Sequence, residues 1–240
     1  MEMVPTENGL LGGRIRLLQP ARGYRVAVDA VLLAAAVNAT SGQHILDLGA
    51  GVGAVGLCLA ARVPGCTVLG IELQPGLAAL AIRNAALNGA GDHLRTIVHD
   101  LAQPLPSDLA AFDHVVTNPP YLAAAVADPS PDHSKALATV ESSAGLARWL
   151  SVATGALKPA GTLALIHRSD RLEEIAGHLV RLGWGDVTVK RLPPAARVLV
   201  RARFGAATRR ESPPLRLHRP EGGYTDEAEA ILRHAQPLAF

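Results

Sequence analysis

The sequence predicts an α/β protein with a mostly parallel sheet and helices on both of its faces. Short apolar runs rich in β-branched residues alternate with alanine-rich segments of helical spacing, which is typical of repeated strand-helix units. A glycine-rich turn at Gly49–Gly53 joins one strand to a helix, and a later strand breaks off into Asn118-Pro119-Pro120-Tyr121. Parallel strands joined by right-handed crossovers place both features at the ligand-binding edge of the sheet.

Length and composition predict a single domain with an aliphatic core. The chain has 240 residues, of which 49% are hydrophobic and 3% aromatic, so Ala, Val, Leu and Ile are expected to fill the core. No apolar run reaches membrane-spanning length, and the first residues lack the basic and apolar regions of a signal peptide. We therefore expect a cytoplasmic protein that has no membrane partner.

Cysteine and histidine spacing gives no sign of a metal site or a disulfide framework. Cys58 and Cys66 form no CxxC pair, and the nine histidines show neither HxH nor HExxH spacing. The sequence therefore predicts no metal and two buried or inert thiols.

The N-terminal segment, residues 1–40, is expected to form a hairpin and a helix that cover the active site. Alternation at Arg14–Leu17 predicts a strand, a Pro-Ala-Arg-Gly turn follows, and a second extended piece leads into an apolar helix that begins near Asp29. Asp29 is a suitable N-cap. Residues 41–205 are expected to form the core, and residues 206–240 an Arg- and Pro-rich extension packed on it.

The core begins with a strand, a glycine-rich turn and a helix over Ala54–Arg62. Glycines let the backbone pass close to a ligand, and the helix N-terminus presents free N–H groups to it. Because Gly51-x-Gly53-x-x-Gly56 also satisfies the dinucleotide fingerprint, the turn alone does not identify the ligand. Further strands are predicted at Thr67–Glu72, Arg95–Asp100, His114–Thr117, Thr162–His167, Asp186–Leu192 and Arg197–Phe204, and helices at Pro75–Asn88, Ser142–Leu157, Asp170–Leu182 and Tyr224–His234.

Three carboxylates at predicted strand ends favour S-adenosylmethionine over a nicotinamide cofactor. Asp47 directly precedes the glycines, where it can accept from an ammonium group and would repel a pyrophosphate. Glu72 suits the ribose hydroxyls of either cofactor. Asp100, at the end of the following strand, is placed to accept from an adenine amino group.

The Asn118-Pro119-Pro120-Tyr121 stretch has the chemistry of a cradle for a planar amine. Each proline restricts its own φ angle and the residue before it, so the Asn118 side chain is aimed in advance. The amide oxygen of Asn118 and the carbonyl of Pro119 can accept the two hydrogens of an amine, and the Tyr121 ring offers a face for stacking. The alternative is an ordinary proline turn after a core strand.

Residues 122–140 are too polar and too rich in proline for a core element, and the segment is longer than usual for a connection. A mobile active-site loop and a plain surface loop are equally compatible with this composition.

Basic residues are concentrated towards the C-terminus. The formal net charge is +2, but Lys190–Arg219 contains nine basic residues and the single acid Glu211, which leaves −6 on the rest of the chain. This asymmetry favours an anionic partner such as RNA; a solvated basic edge is the alternative. The residues predicted to contact RNA are Arg197, Arg201, Arg203, Arg209 and Arg210, the first three on one face of the last predicted strand.

The order of these motifs resembles that of class I S-adenosylmethionine-dependent methyltransferases. Within that superfamily, the segment Gly13–Leu33, with Gln19-Pro20 and Gly23-Tyr24-Arg25, resembles the leader of the family that methylates an adenine beside the anticodon of a valine tRNA. The resemblance implies a Rossmann-like sheet of seven strands whose last strand is antiparallel.

The resemblance also implies the roles of individual residues. Family members often carry a small hydroxyl residue where this chain has Val28, so Asp29 or a backbone amide is expected to take its place at the cofactor. The implied catalytic residues are Asn118, Pro119, Pro120 and Tyr121, and the implied cofactor residues are Asp29, Asp47, Gly49, Gly51, Gly53, Glu72, Asp100 and Asn118.

We therefore predict methyl transfer to the exocyclic amine of an adenine in tRNA, and four alternatives stay open. A glutamine amide of a release factor fits the same cradle, but such enzymes usually carry a helical domain before the glycine motif, and only 46 residues precede Asp47 here. A guanine of ribosomal RNA fits as well. An NAD-dependent oxidoreductase would explain the glycine spacing and leave Asn118–Tyr121 without a role, and a non-catalytic RNA-binding relative would not need the intact carboxylates.

Overall fold

The structure is a computed structural model that describes residues 4–23, 25–109, 111–121, 143–205 and 208–240. Ten strands and six α-helices lie within these ranges. The strands are β1 (Pro5–Leu10), β2 (Ile15–Pro20), β3 (His44–Leu48), β4 (Thr67–Glu72), β5 (Leu94–Val98), β6 (Phe112–Thr117), β7 (Leu157–Arg168), β8 (Trp184–Arg191), β9 (Arg197–Phe204) and β10 (Arg209–Ser212). The helices are α1 (Val28–Ala35), α2 (Ala54–Arg62), α3 (Pro75–Leu87), α4 (Leu146–Ala156), α5 (Leu172–Arg181) and α6 (Asp226–His234).

The main sheet confirms the predicted mostly parallel α/β fold. Its strands lie in the order β10-β8-β9-β7-β6-β3-β4-β5, and β9 runs antiparallel to both of its neighbours. The antiparallel strand was predicted at the correct place. The short strand β10 pairs in parallel with β8 and adds an eighth strand inside the predicted extension, where Arg and Pro residues gave no strand signal.

Alternating side chains of the central strands fill two hydrophobic clusters, one on each face of the sheet. In β7, Ala164 and Ile166 belong to the cluster that α1, α2, α3, α6 and the β1–β2 hairpin cover, while Leu163 and Leu165 belong to the cluster under α4 and α5. This period of two is why a sheet buried on both faces reads as a continuous apolar run.

The N-terminal segment differs from the prediction in two details. Its hairpin pairs β1 with β2, one strand earlier than expected, because the residues after the turn extend without forming a strand. The N-cap of α1 is Ala27, so the prediction that Asp29 caps this helix was wrong, and Asp29 lies in the first turn. The division into segments 1–40, 41–205 and 206–240 stays a prediction.

Other element predictions hold closely. Strand β4 and helix α2 have the predicted bounds, and Thr225 caps α6, since its hydroxyl accepts from the backbone N–H of Ala228 at 3.2 Å. Both cysteines are free and buried. The predicted loop at 122–140 lies outside the described residues, as does Ser142. The helix predicted to begin there begins instead at Leu146, with Gly145 as its N-cap. In the described ranges, no helix has the length and apolarity required to cross a membrane.

Candidate active site

The carboxyl ends of four neighbouring strands place the predicted site residues side by side. The strands β6, β3, β4 and β5 are adjacent, and Asn118, Asp47, Glu72 and Asp100 lie at or just beyond their ends in that order. The chain continues from β3 towards β4 and β5 on one side and later returns to β6 on the other, which makes the β3–β6 seam the switch point where ligands bind. One pocket is lined there by the predicted residues Asp47, Gly49, Gly51, Glu72, Asp100, Asn118, Pro120 and Tyr121.

Asp47 is a buried carboxylate with an unsatisfied oxygen. Only 2% of the residue is exposed, and Oδ2 has no hydrogen-bond partner among the described residues. Burial, and next the negative charge of Glu72, raise the pKa of Asp47 to about 7. A cationic donor in the pocket would satisfy this oxygen and restore the charged form, as the predicted contact with an ammonium group requires.

Glu72 is buried but held by backbone donors. The N–H of Gly51 donates to Oε2 at 2.8 Å, and the N–H of Gln74 donates to Oε1 at 2.9 Å. Burial raises the pKa of Glu72, while these hydrogen bonds oppose the rise. Each oxygen can accept a further hydrogen bond beyond the one from the backbone. The carboxylate can therefore accept from both hydroxyls of a diol such as a ribose.

Asp100 has a different environment from the other two acids. It follows β5 and accepts at Oδ1 from the N–H of Ala102 at 2.9 Å and from the hydroxyl of Ser143 at 2.7 Å. These hydrogen bonds, the first of them foremost, hold the pKa of Asp100 below its usual value. The side chain is therefore a charged acceptor that is fixed in orientation at the pocket wall.

The glycine turn is shaped by a tryptophan. Gly49 has a φ of +76°, and a Cβ there would lie 2.6 Å from a ring carbon of Trp149. Gly51, with a φ of +56°, faces open space in the pocket and leaves room for a ligand. Gly53 is the N-cap of α2 and packs against Ala81, so it shapes the turn without lining the pocket.

The predicted amine cradle stands at the opposite wall of the pocket. The hydroxyl of Thr117 donates to the carbonyl of Leu48 at 3.0 Å, which anchors the end of β6 to β3. Asn118 and Tyr121 are half-buried and line the pocket, and Pro120 lines it between them. Pro119 is buried and is not among the residues that line the pocket, so its predicted role in the cradle stays a prediction.

Asp29 is placed differently from the other predicted cofactor residues. Its Oδ2 accepts from the guanidinium Nε of Arg197 at 3.3 Å, and Asp29 does not line the pocket. The guanidinium carbon of Arg197 in turn lies 5.2 Å from the ring centre of Tyr121. The structure therefore connects Asp29 to Tyr121 through Arg197, while its predicted contact with the cofactor stays a prediction.

Several pocket residues were missed by sequence reasoning. Trp149 is 8% exposed, donates its ring N–H to the carbonyl of Ala144 at 3.1 Å and packs on the glycine turn. Ser143 orients Asp100. These residues lie about 100 and 40 positions from the groups they contact, and nothing in their local pattern distinguishes them from ordinary helix and loop residues.

The predicted basic face is largely neutralised by acids from other segments. Arg197 pairs with Asp29, while Arg203 and Arg210 share Asp186. Arg201 instead stacks on the ring of Phe240 at 4.3 Å, and burial lowers its pKa. A further pair joins Arg209 to Glu173 at 2.9 Å.

Fold and pocket together define an α/β protein of the class I methyltransferase type. A predicted O-methyltransferase from Agrobacterium tumefaciens has a similar structure, with a TM-score of 0.71 and 25% identity over 88% of this chain and 98% of that one. The sequence matches the family described as methyltransferase small domain over residues 25–171, which is more than half of the chain. The chain belongs to this family, a result that confirms the predicted class and decides against an oxidoreductase.

Two curated relatives have different substrates. A tRNA1(Val) (adenine(37)-N6)-methyltransferase from Porphyromonas gingivalis is 34% identical over 164 residues, which are 65% of this chain and 64% of that protein. A 4-amino-L-phenylalanine/4-methylamino-L-phenylalanine methyltransferase from Streptomyces pristinaespiralis is 35% identical over 142 residues, 57% of this chain and 47% of the relative. The matches thus span less than two thirds of either relative, and identity alone does not choose between the two substrates.

Proposed function

We propose that the protein is an N-methyltransferase that modifies the exocyclic amino group of an adenine in a tRNA, near the anticodon of a valine tRNA. The main support for this proposal is that one pocket is lined both by the Asn118–Tyr121 cradle and by the acids Asp47 and Glu72. The longer of the two matches, to the tRNA enzyme, supports adenine as the target. Such a substrate is expected in the cytoplasm.

The methyl donor is S-adenosylmethionine, whose sulfonium supplies an already activated methyl group. The residues present fit this cofactor, because an orphaned buried oxygen of Asp47 requires a cationic donor and Glu72 suits two hydroxyls. Asp100 would hold the adenine amino group, and Gly51 leaves the space that the ligand needs.

The chain's own residues then orient the target nitrogen. The Asn118 amide oxygen and the Pro119 carbonyl would accept the two hydrogens of this amine. These bonds would favour a tetrahedral nitrogen, whose lone pair is available to attack the methyl group. Tyr121 would stack on a base taken out of its loop, and alignment supplies most of the acceleration. We assign no general base.

Basic residues of β9 and the following segment are proposed to contact the RNA, namely Arg197, Arg201, Arg203, Arg209 and Arg210. The carboxylate partners of Arg203, Arg209 and Arg210 do not exclude this role, because ion pairs with an exposed member are weak and can exchange for phosphate.

The function is tested by incubating the purified protein with labelled S-adenosylmethionine and total tRNA from a strain that lacks the activity. Nucleoside mass spectrometry is expected to detect a new N6-methyladenine. A protein that binds the cofactor but leaves tRNA unmodified would contradict the proposal, and ribosomal RNA, release-factor protein and free 4-amino-L-phenylalanine are assayed in parallel. Free 4-amino-L-phenylalanine is the second candidate substrate, because the Streptomyces relative is named for it.

The role of Asn118 is tested by Asn118→Ala. We expect turnover to be lost while the Kd for S-adenosylmethionine stays within a few fold, because the side chain acts on the target amine rather than on the main cofactor contacts. Calorimetric titration and single-turnover assays separate the two effects. Joint loss of cofactor binding and activity would show that Asn118 mainly holds the cofactor.

A further inference from the structure

Three arginines lie close to Tyr121, a residue that lines the pocket, and we call Arg168, Arg171 and Arg197 the arginine rim. Arg171 donates to the carbonyl oxygen of Tyr121 at 3.4 Å, and Arg197 lies over the Tyr121 ring. Arg168 ends β7 directly opposite Arg197 in the antiparallel pairing of β7 with β9. Arg168 and Arg171 had no role in the sequence prediction.

The pairing of Arg168 with Arg197 opposes stability. Like charges directly across antiparallel strands repel each other, whereas the preceding positions of the same seam pair Ile166 with Leu199 and His167 with Val198. Asp170 and Asp29 compensate the two charges in the structure. The two guanidinium groups nevertheless place donors side by side at the end of the seam, an arrangement that suits an anionic ligand.

The carboxylates that the structure describes beside Arg168 and Arg171 differ in how easily they can be displaced. Arg168 and Asp170 have side chains that are 37% and 56% exposed, whereas Arg171 and Glu174 have side chains that are 16% and 43% exposed. An exposed pair is weak, so a dianionic or polyanionic ligand can compete for Arg168 directly, and for the less exposed Arg171 when Glu174 moves aside.

Arg197 is held more firmly. It and its partner Asp29 have side chains only 29% and 21% exposed, and the guanidinium group stacks on one face of Tyr121. A cation over a ring in this position favours one orientation of the ring. We therefore regard Arg197 as a positioning residue for Tyr121.

We propose that the arginine rim binds the phosphate groups that flank the methylated nucleotide; this subsite rests on the proposed function. A base lifted into the pocket brings its own two phosphates to the mouth, where Arg168 and Arg171 present planar donor forks that match phosphate oxygens. The rim thereby selects a nucleotide within a chain over an uncharged amide of a protein.

The proposal is tested with Arg168→Gln and Arg171→Gln in the full-length chain. Binding of total tRNA is followed by fluorescence anisotropy at several NaCl concentrations, and the kinetics of methyl transfer are measured in parallel. Arg181→Gln is the matched control, because Arg181 is an arginine of α5 whose guanidinium contacts only His178 among the partners that the structure describes.

Each rim variant is expected to make the fall of log affinity with log salt less steep, by about one in slope. We also expect KM for tRNA to rise about tenfold. The kcat and the Kd for S-adenosylmethionine are expected to change little, and Arg168→Lys is expected to restore the salt slope. The control should match the wild type. If Arg171→Gln fails to fold, the test relies on Arg168→Gln. This variant is expected to fold, because the ion pair that it removes, with Asp170, is exposed.

The outcomes separate the subsite from the proposed function. Unchanged salt slopes and KM values in a protein that methylates tRNA would overturn the subsite alone. Reduced slopes in a protein that binds tRNA but does not methylate it would support the subsite and contradict the function. A raised KM for free 4-amino-L-phenylalanine, with tRNA binding unchanged, would overturn the subsite and assign the rim to a carboxylate.

Discussion

At the scale of single residues, Asp47 shows a binding group that opposes folding. Its carboxylate is buried without a partner for Oδ2, and its pKa in the folded protein is raised to about 7 from 3.8. Between these two pH values the folded state holds more protons than the unfolded state. Stability of the cofactor-free protein therefore falls as pH rises through this window.

Asp47→Asn is expected to stabilise the cofactor-free protein. At pH 8 the gain in unfolding free energy should reach up to about 4 kcal/mol, at about 1.4 kcal/mol per pH unit, and it should nearly vanish at about pH 3, where both states are largely protonated. Urea denaturation at the two pH values measures it. Asp100→Asn is the control and should lose stability at pH 8, because hydrogen bonds lower the pKa of Asp100. Equal stability of Asp47→Asn and wild type at pH 8 would refute the assignment.

The acids of the pocket could be predicted from the sequence, whereas its aromatic wall and its arginine rim could not. Asp47 and Glu72 end apolar runs, and the ends of parallel strands meet at one edge of the sheet whatever the details of packing. Trp149 and Arg168 depend on how distant elements pack, and their neighbours in sequence carry no comparable pattern.

At the scale of elements, Asn84 of α3 and Asn88, which directly follows this helix, bind the N-terminal hairpin as a strand would. The amide of Asn84 accepts from the N–H of Leu18 at 2.7 Å and donates to the carbonyls of Leu18 and Val52, while Asn88 bonds both backbone groups of Arg16. Asn84 is fully buried. The sequence does not predict this burial, because polar residues on an amphipathic helix normally face solvent. The partners of Asn84 lie 66 and 32 positions away in the chain.

Asn84→Ala is expected to weaken cofactor binding through the glycine turn. The change leaves the carbonyl of Val52, between Gly51 and Gly53, without its buried donor, at a cost of about 1–3 kcal/mol. We expect lower stability and a Kd for S-adenosylmethionine raised several fold. Asn88→Ala is the matched control, because it loses contacts to the same strand but none to the turn. Calorimetry that shows the same Kd for both variants would contradict this coupling.

At the scale of the whole molecule, the charge distribution differs most from what the sequence suggested. The segment Lys190–Arg219 is strongly basic when it is read alone. Folding brings Asp29 and Glu173 against its arginines from more distant elements, and Asp186 from just outside the segment. Local composition cannot report such pairing. The mostly parallel α/β sheet was therefore predictable from the strand and helix patterns, while the charge distribution at the surface was not.

Asp186→Asn tests whether the C-terminal basic face contacts RNA. The change frees Arg203 and Arg210 together and is tolerated by the backbone, since Asp186 has a φ of +40°, a conformation that asparagine readily adopts. If this face contacts RNA, affinity for tRNA should rise about threefold or more, and the salt dependence should steepen by one to two in slope, roughly one per freed arginine.

Asp226→Asn is the control for this experiment, because it frees Arg219, which is outside the predicted contact set. Anisotropy titrations of both variants against salt give the comparison. If Asp186→Asn binds tRNA like the control, phosphate recognition does not extend to this face. The arginine rim beside Tyr121 would then be left as the proposed electrostatic contact, and RNA would approach the protein over the mouth of the pocket.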